Sequence, residues 1–177
     1  SLGAIIALDF AIAHPEKIEN LVLVSPGLIG FQEKDPTYLQ QVTAYVQTIQ
    51  AGDKEGMKLA LKKMNAIGKE DRKLKAEIDI YVDEKLTAFI ENGSHLRIPK
   101  IKEVAPLTQL TQLTQVDIPS LIMYGALDFD YIKNNALKLG ESLPKAEVFE
   151  VENAAHLINL EAEEVFNGKL MEFLNLD

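Results

Sequence analysis

Three short apolar runs, each closed by a turn, set the terms on which this chain can fold. Ile18 to Val24 ends at Ser25-Pro26-Gly27, Ser120 to Tyr124 ends at Gly125, and the alternating run Ala146 to Val151 is followed by Asn153-Ala154-Ala155-His156. Runs of this length, rich in β-branched residues and leucine and bounded by Gly and Pro, read as strands, and the first has the continuous apolarity of a strand covered on both faces. Helical stretches alternate with them: Leu2 to Ala13 first, then about Tyr131 to Leu143, then about Glu161 to Leu174. This alternation predicts an α/β fold with a doubly wound, mostly parallel sheet. The first helix is apolar almost all round before Pro15 stops it, so it is expected to be buried on most sides.

Between the first two strands the character changes. From about Phe31 to Ile101 the chain reads as charged, amphipathic helices. Tyr38, Leu39, Val42, Tyr45, Val46 and Ile49 recur at helical spacing; a second helix is expected from an Asp53 N-cap to Gly68, and a third from about Glu70 to Gly93. The predicted organisation is a core made of 1–30 and 102–177, with 31–101 as an inserted helical lid whose Tyr38, Tyr45, Met57, Met64 and Phe89 face a pocket or the lid core. A plain helical bundle is the alternative, and the return of α/β patterning afterwards favours the insertion. The triple Leu-Thr-Gln over 107–115 reads as a short helical turn and linker.

Composition removes several function classes. Of 177 residues, 18 are Lys or Arg and 27 are Asp or Glu, and a net charge of −9 repels nucleic acid and anionic lipid. The absence of cysteine excludes thiol chemistry and disulfides and fits a cytoplasmic protein, and with three histidines no metal cluster is apparent. The longest apolar run, Leu2 to Ala13, is broken by Asp9 and is too short to span a bilayer. A chain opening on Ser-Leu-Gly, with no starting methionine and no positively charged leader, is expected to be the remainder of a longer protein.

The turns after the strands carry the chemistry. A serine hydroxyl becomes a nucleophile when an imidazole takes its proton, and the imidazole needs a carboxylate to fix its tautomer. Ser1-Leu2-Gly3 stands before a helix, and reads either as an N-cap or as the second half of a Gly-x-Ser-x-Gly elbow, whose glycines relieve crowding at a sharp turn. Tyr124-Gly125-Ala126-Leu127-Asp128 follows one strand and Asn153-Ala154-Ala155-His156 another. The order Ser, Asp, His, with Asp and His just beyond strands, is the order of a nucleophile-elbow hydrolase. Asp130 is a rival for the acid, His14 reads as a helix-end residue, and His95 as a solvated loop residue near Arg97.

Asp9 to Pro26, Ile118 to Asp128 and Ala154 to Glu161 resemble matching stretches of lidded α/β hydrolases, a group that includes lactonases, esterases, carbon–carbon bond hydrolases and proline iminopeptidases. The resemblance covers the chain outside the lid. It implies a partial α/β-hydrolase fold with Ser1 as nucleophile, Asp128 as orienting acid, His156 as general base, and the Leu2 N–H as one oxyanion-hole donor. It implies no cofactor and a small-molecule substrate. The second oxyanion donor of such enzymes comes from a loop that lies outside this sequence. A non-catalytic ligand-binding member of the fold remains an alternative, as does an N-terminal nucleophile hydrolase, which requires Ser1 at a strand edge rather than before a helix.

Overall fold

The apolar runs pair side by side. In the computed structural model, which describes residues 1–31, 35–94 and 109–176, β1 (Leu21–Val24), β2 (Ser120–Gly125) and β3 (Ala146–Val151) form a parallel sheet in that order. Leu21 registers with Ser120, and Ser120 with Ala146. The period of two sends Leu21, Leu23, Ile122 and Tyr124 to one face, where they pack with Leu8 and Ala11 of α1 (Leu2–Ala13) and with Ile132, Ala136 and Leu139 of α6 (Asp130–Ser142). Val22, Val24, Leu121, Met123 and Val151 point to the other face and meet Phe166 and Phe173 of α8 (Glu163–Leu174). Helices thus cover both faces, the doubly wound arrangement expected from the alternation.

Two expectations are corrected at the ends of the molecule. Only the Ala4, Leu8 and Ala11 face of α1 is buried; Leu2, Ile6 and Phe10 are 66%, 61% and 46% exposed. The reason is geometric, since the described sheet offers this helix one flank. The final helix begins later than its periodicity suggests, because Ala162, at φ −137° and ψ 54°, separates α7 (Ile158–Glu161) from α8.

Between β1 and β2 the described chain is helical. Asp35 caps α2 (Pro36–Ala51) by accepting the Tyr38 N–H, and Gly52 ends the helix in the left-handed region at φ 65°. Asp53 then caps α3 (Lys54–Lys62), which loosens into one π turn, Lys63–Ile67, before Gly68 at φ 84°. The third helix, α4 (Ala76–Glu91), starts six residues later than the expected Glu70. Residues 70–75 stay non-helical because Arg72 turns back to the carbonyls of Ala66 and Ile67. Ala66, Ile78 and Val82 bury themselves with Leu157 and Leu160, which fastens these helices to the segment beyond β3. The Leu-Thr-Gln stretch becomes α5 (Gln109–Gln112) and a 3₁₀ turn, Leu113–Gln115, with Leu113 buried; its first two residues, like His95 and Arg97, lie outside the described residues.

Candidate active site

β2 delivers Asp128. Beyond Gly125 the chain makes a tight turn closed by the Asp128 N–H on the Gly125 carbonyl at 3.1 Å, leaving the Asp128 side chain buried. One carboxylate oxygen accepts the Phe129 N–H at 2.8 Å, and the other lies 2.7 Å from His156 Nδ1.

β3 delivers His156. Asn153 takes φ 58°, a left-handed conformation that asparagine tolerates, and reverses the chain toward β2. The returning backbone is held at each step. The Ala154 carbonyl accepts the Leu127 N–H at 2.9 Å, the Ala155 N–H donates to Glu161 Oε1 at 3.0 Å, and the His156 carbonyl accepts the Ser25 hydroxyl at 2.9 Å. The two loops touch at Gly125, where a Cβ would stand 2.2 Å from the Ala155 carbonyl oxygen.

Ser1 stands at the N-terminus of α1, and its side chain makes no capping hydrogen bond. Its carbonyl accepts the Ile5 N–H at 3.4 Å and the Gly27 N–H at 3.2 Å, which ties the start of α1 to the turn after β1. The Leu2 N–H belongs to the first turn of α1, whose amides have no partner within the helix. The crowding expected at Gly3 is not found: a Cβ there meets nothing within 4 Å, whereas one on Gly27 would lie 2.9 Å from Ile5. Gly27 is the glycine of this turn that faces α1 closely.

Ser1 and His156 border one cavity of about 200 Å³, together with Gly27, Tyr38, Met64 and Tyr131. Of the expected pocket residues, Tyr38 and Met64 therefore line it, Met57 is buried within the helical segment, and Phe89 is exposed. The Tyr38 ring stacks on Tyr131 at 4.7 Å and meets Phe129 edge-on at 5.6 Å. Burial first, then the neighbouring Tyr131, Asp128 and Asp35, raises the Tyr38 phenol above its ordinary value, so it stays a hydrogen-bond donor in neutral solution.

The rival residues are engaged elsewhere. Asp130 is the first residue of α6 and pairs with Lys69 at 2.9 Å. His14 caps the end of α1, its ring 5.1 Å from Phe10. Among the described residues, no three His, Asp or Glu side chains converge as a metal site. Four contributors escaped sequence reasoning: Ser25 and Glu161, which hold the histidine loop, Arg72, which binds Glu161, and Asp35, whose second oxygen accepts the Tyr131 N–H at 2.9 Å. Only Asp35 carried a local signal, an acid directly before Pro at a helix start.

Comparison with known proteins identifies the fold family. Over 181 aligned residues the chain is 25% identical to the pimeloyl-[acyl-carrier protein] methyl ester esterase of Chromobacterium violaceum, covering 98% of this chain and 67% of that protein. A Bacillus subtilis carboxylesterase superposes with a TM-score of 0.69 at 21% identity, covering 98% of this chain and 57% of that one. An N-acyl homoserine lactone degrading enzyme superposes with a TM-score of 0.67 at 18% identity, over 98% of this chain and 64% of that one. The chain thus spans about two thirds of the length of that esterase and less of these solved structures. The model of the alpha/beta hydrolase fold family matches residues 1–163, and the chain belongs to that family.

Proposed function

We propose that this chain carries the catalytic triad of a serine hydrolase acting on esters or lactones, with Ser1 as nucleophile, His156 as general base and Asp128 as its orienting acid. The observation that carries the reading is the 2.7 Å contact between His156 Nδ1 and a buried Asp128 oxygen, with His156 and Ser1 on the same cavity. A carboxylate only accepts, so Nδ1 carries the proton and Nε2 is left to take one from the serine hydroxyl. Attack of the serine oxygen on the substrate carbonyl forms an acyl-enzyme and expels the alcohol, protonated by His156; water activated by the same imidazole then releases the acid. The Leu2 N–H supplies one donor to the oxyanion. The esterase and lactone-degrading relatives favour an oxygen ester over an amide or a carbon–carbon bond.

Residues 31–101 act in this reading as a lid. Its support is that Tyr38 and Met64 contribute to the cavity wall while Leu157 and Leu160 receive the helices beside His156. A cysteine-free chain suits the cytoplasm.

The test uses the full-length enzyme. A fluorophosphonate should label Ser1, and Ser1→Ala should abolish both labelling and hydrolysis of a small ester. An unlabelled, inactive wild-type protein would leave the pocket as a binding site, and a Ser1→Ala variant with full activity would rule out Ser1 as the nucleophile.

A further inference from the structure

The loop that carries His156 is tied to the helical segment by one enclosed ion pair. Glu161, at the end of α7, has a side chain only 5% exposed. One of its oxygens accepts the Ala155 N–H at 3.0 Å, and the other meets the Arg72 guanidinium at 2.5 Å. Arg72 places two N–H groups on the carbonyls of Ala66 and Ile67, at 2.8 and 2.7 Å. Those carbonyls end the π turn whose Met64 and Asn65 line the cavity. An unbroken series of charge-assisted hydrogen bonds therefore runs from the cavity wall to the peptide that precedes the histidine.

This placement is not what stability alone would select. An ion pair this enclosed costs desolvation, and an apolar pair of similar volume would hold two segments together as well or better. What the pair supplies is direction: the planar guanidinium fixes two carbonyls and a carboxylate at once, and the carboxylate fixes one amide. On its other side the same short loop is fixed by the Ser25 hydroxyl on the His156 carbonyl. Resting on the triad reading above, we infer that Arg72 and Glu161 are positioning residues that set His156 by reference to the seated helical segment. The imidazole is aligned for proton transfer only while the wall formed by the π turn is in place.

The experiment compares Arg72→Met, Arg72→Lys, Glu161→Gln and the double variant Arg72→Met/Glu161→Gln in the full-length enzyme. The double variant removes both charges, so no lone carboxylate is left buried. Arg72→Lys keeps the charge but not the fork, and decides the matter if the Met variants do not accumulate. Saturation kinetics on a small ester are read beside the thermal midpoint and the downfield proton resonance of the His156–Asp128 hydrogen bond. Misalignment should lower kcat by about 10- to 100-fold with KM little changed, and should shift or broaden the resonance. Glu161→Gln, which still offers the Ala155 N–H an oxygen, should retain more activity than Arg72→Met. The double variant should be no slower than Arg72→Met, the non-additivity of a single connected series. Lower midpoints with wild-type kcat and an unchanged resonance would overturn the inference and leave the pair as scaffolding. Should Ser1→Ala keep the wild-type rate, the triad reading fails instead, and the resonance in Arg72→Met and Arg72→Lys still decides whether the pair positions the ring.

Discussion

Gly125 and Ala155 pass so close that a Cβ on Gly125 would stand 2.2 Å from the Ala155 carbonyl oxygen and 2.3 Å from that of Ala154. Both obstacles are backbone, so neither can rotate away. Gly125→Ala should therefore push the acid loop and the histidine loop apart, at a cost of about 1–3 kcal/mol or more, the range for forced overpacking. Denaturant unfolding of the full-length protein measures it. Activity should fall further than the folded fraction does, because the displaced loops carry Asp128 and His156.

Asp128→Asn probes the orientation of the ring. An amide oxygen still satisfies the Phe129 N–H, which now comes from 2.8 Å, so the turn should survive. The amide nitrogen then faces Nδ1 and donates to it, which holds the imidazole in the wrong tautomer. A loss on the order of 10⁴-fold in kcat is expected by analogy with the serine proteases. Asp130→Asn should leave turnover nearly intact, since it removes only a surface pairing with Lys69. The reverse outcome would mean that the acid has been misassigned.

Asp35 joins two helices with one carboxylate, accepting the Tyr38 N–H at the start of α2 and the Tyr131 N–H at the start of α6, both at 2.9 Å. Asp35→Ala leaves both amides without that partner and should cost about 1–3 kcal/mol. Asn, with a single accepting oxygen, should recover roughly half of the loss. Because the stacked rings of Tyr38 and Tyr131 border the cavity, KM for a small ester should rise in both variants. A stability change with constant KM would show that the stack holds without its carboxylate.

Tyr124 and Glu150 register side by side on β2 and β3, and Lys133 lies 3.2 Å from the Glu150 carboxylate. The neighbouring Tyr124 hydroxyl first, and Lys133 next, against the opposing effect of desolvation, hold Glu150 below its ordinary value of 4.5. A depressed folded-state value contributes stability above the unfolded-state value and loses it as pH falls through the folded-state one. Glu150→Gln should thus lower stability near neutrality by less than about 1 kcal/mol, the scale of an exposed pair, with the difference vanishing in strong acid. Burial first, and then Glu150, raises the Tyr124 phenol, so its contribution is intact below pH 10 and is lost only in stronger alkali. Unfolding curves for wild type and Glu150→Gln across acid pH test the sign.

What could be read from the sequence was local. The strands from Ser120 and from Ala146, the Asp53 cap and the Gly68 stop each rest on neighbours a few residues away, and each is found where its pattern lies. The contact between Asp128 and His156 was reachable because both follow strands of one parallel sheet, which gathers such turns at one end. The hydrogen bond from Ser25 to His156 crosses 131 positions and leaves no periodic trace. Arg72 lies inside the stretch from about Glu70 that reads as helix, and its partners become neighbours only once α7 is in place. For α1, hydrophobicity states what each face prefers to meet, and the described elements meet the face of Ala4, Leu8 and Ala11.

Ser25, buried at the end of β1 with φ 44°, meets two demands with one side chain. Its backbone favours glycine, asparagine or aspartate, while its hydrogen bond to the His156 carbonyl calls for a small side chain with a donor. Glycine relaxes the backbone and forfeits the donor; threonine keeps the donor but is β-branched, which this conformation penalises. Aspartate as an anion has no proton to give. Asparagine alone among these alternatives combines the backbone preference with a donor, so any other residue at this position should require compensating changes in the loop around residue 156.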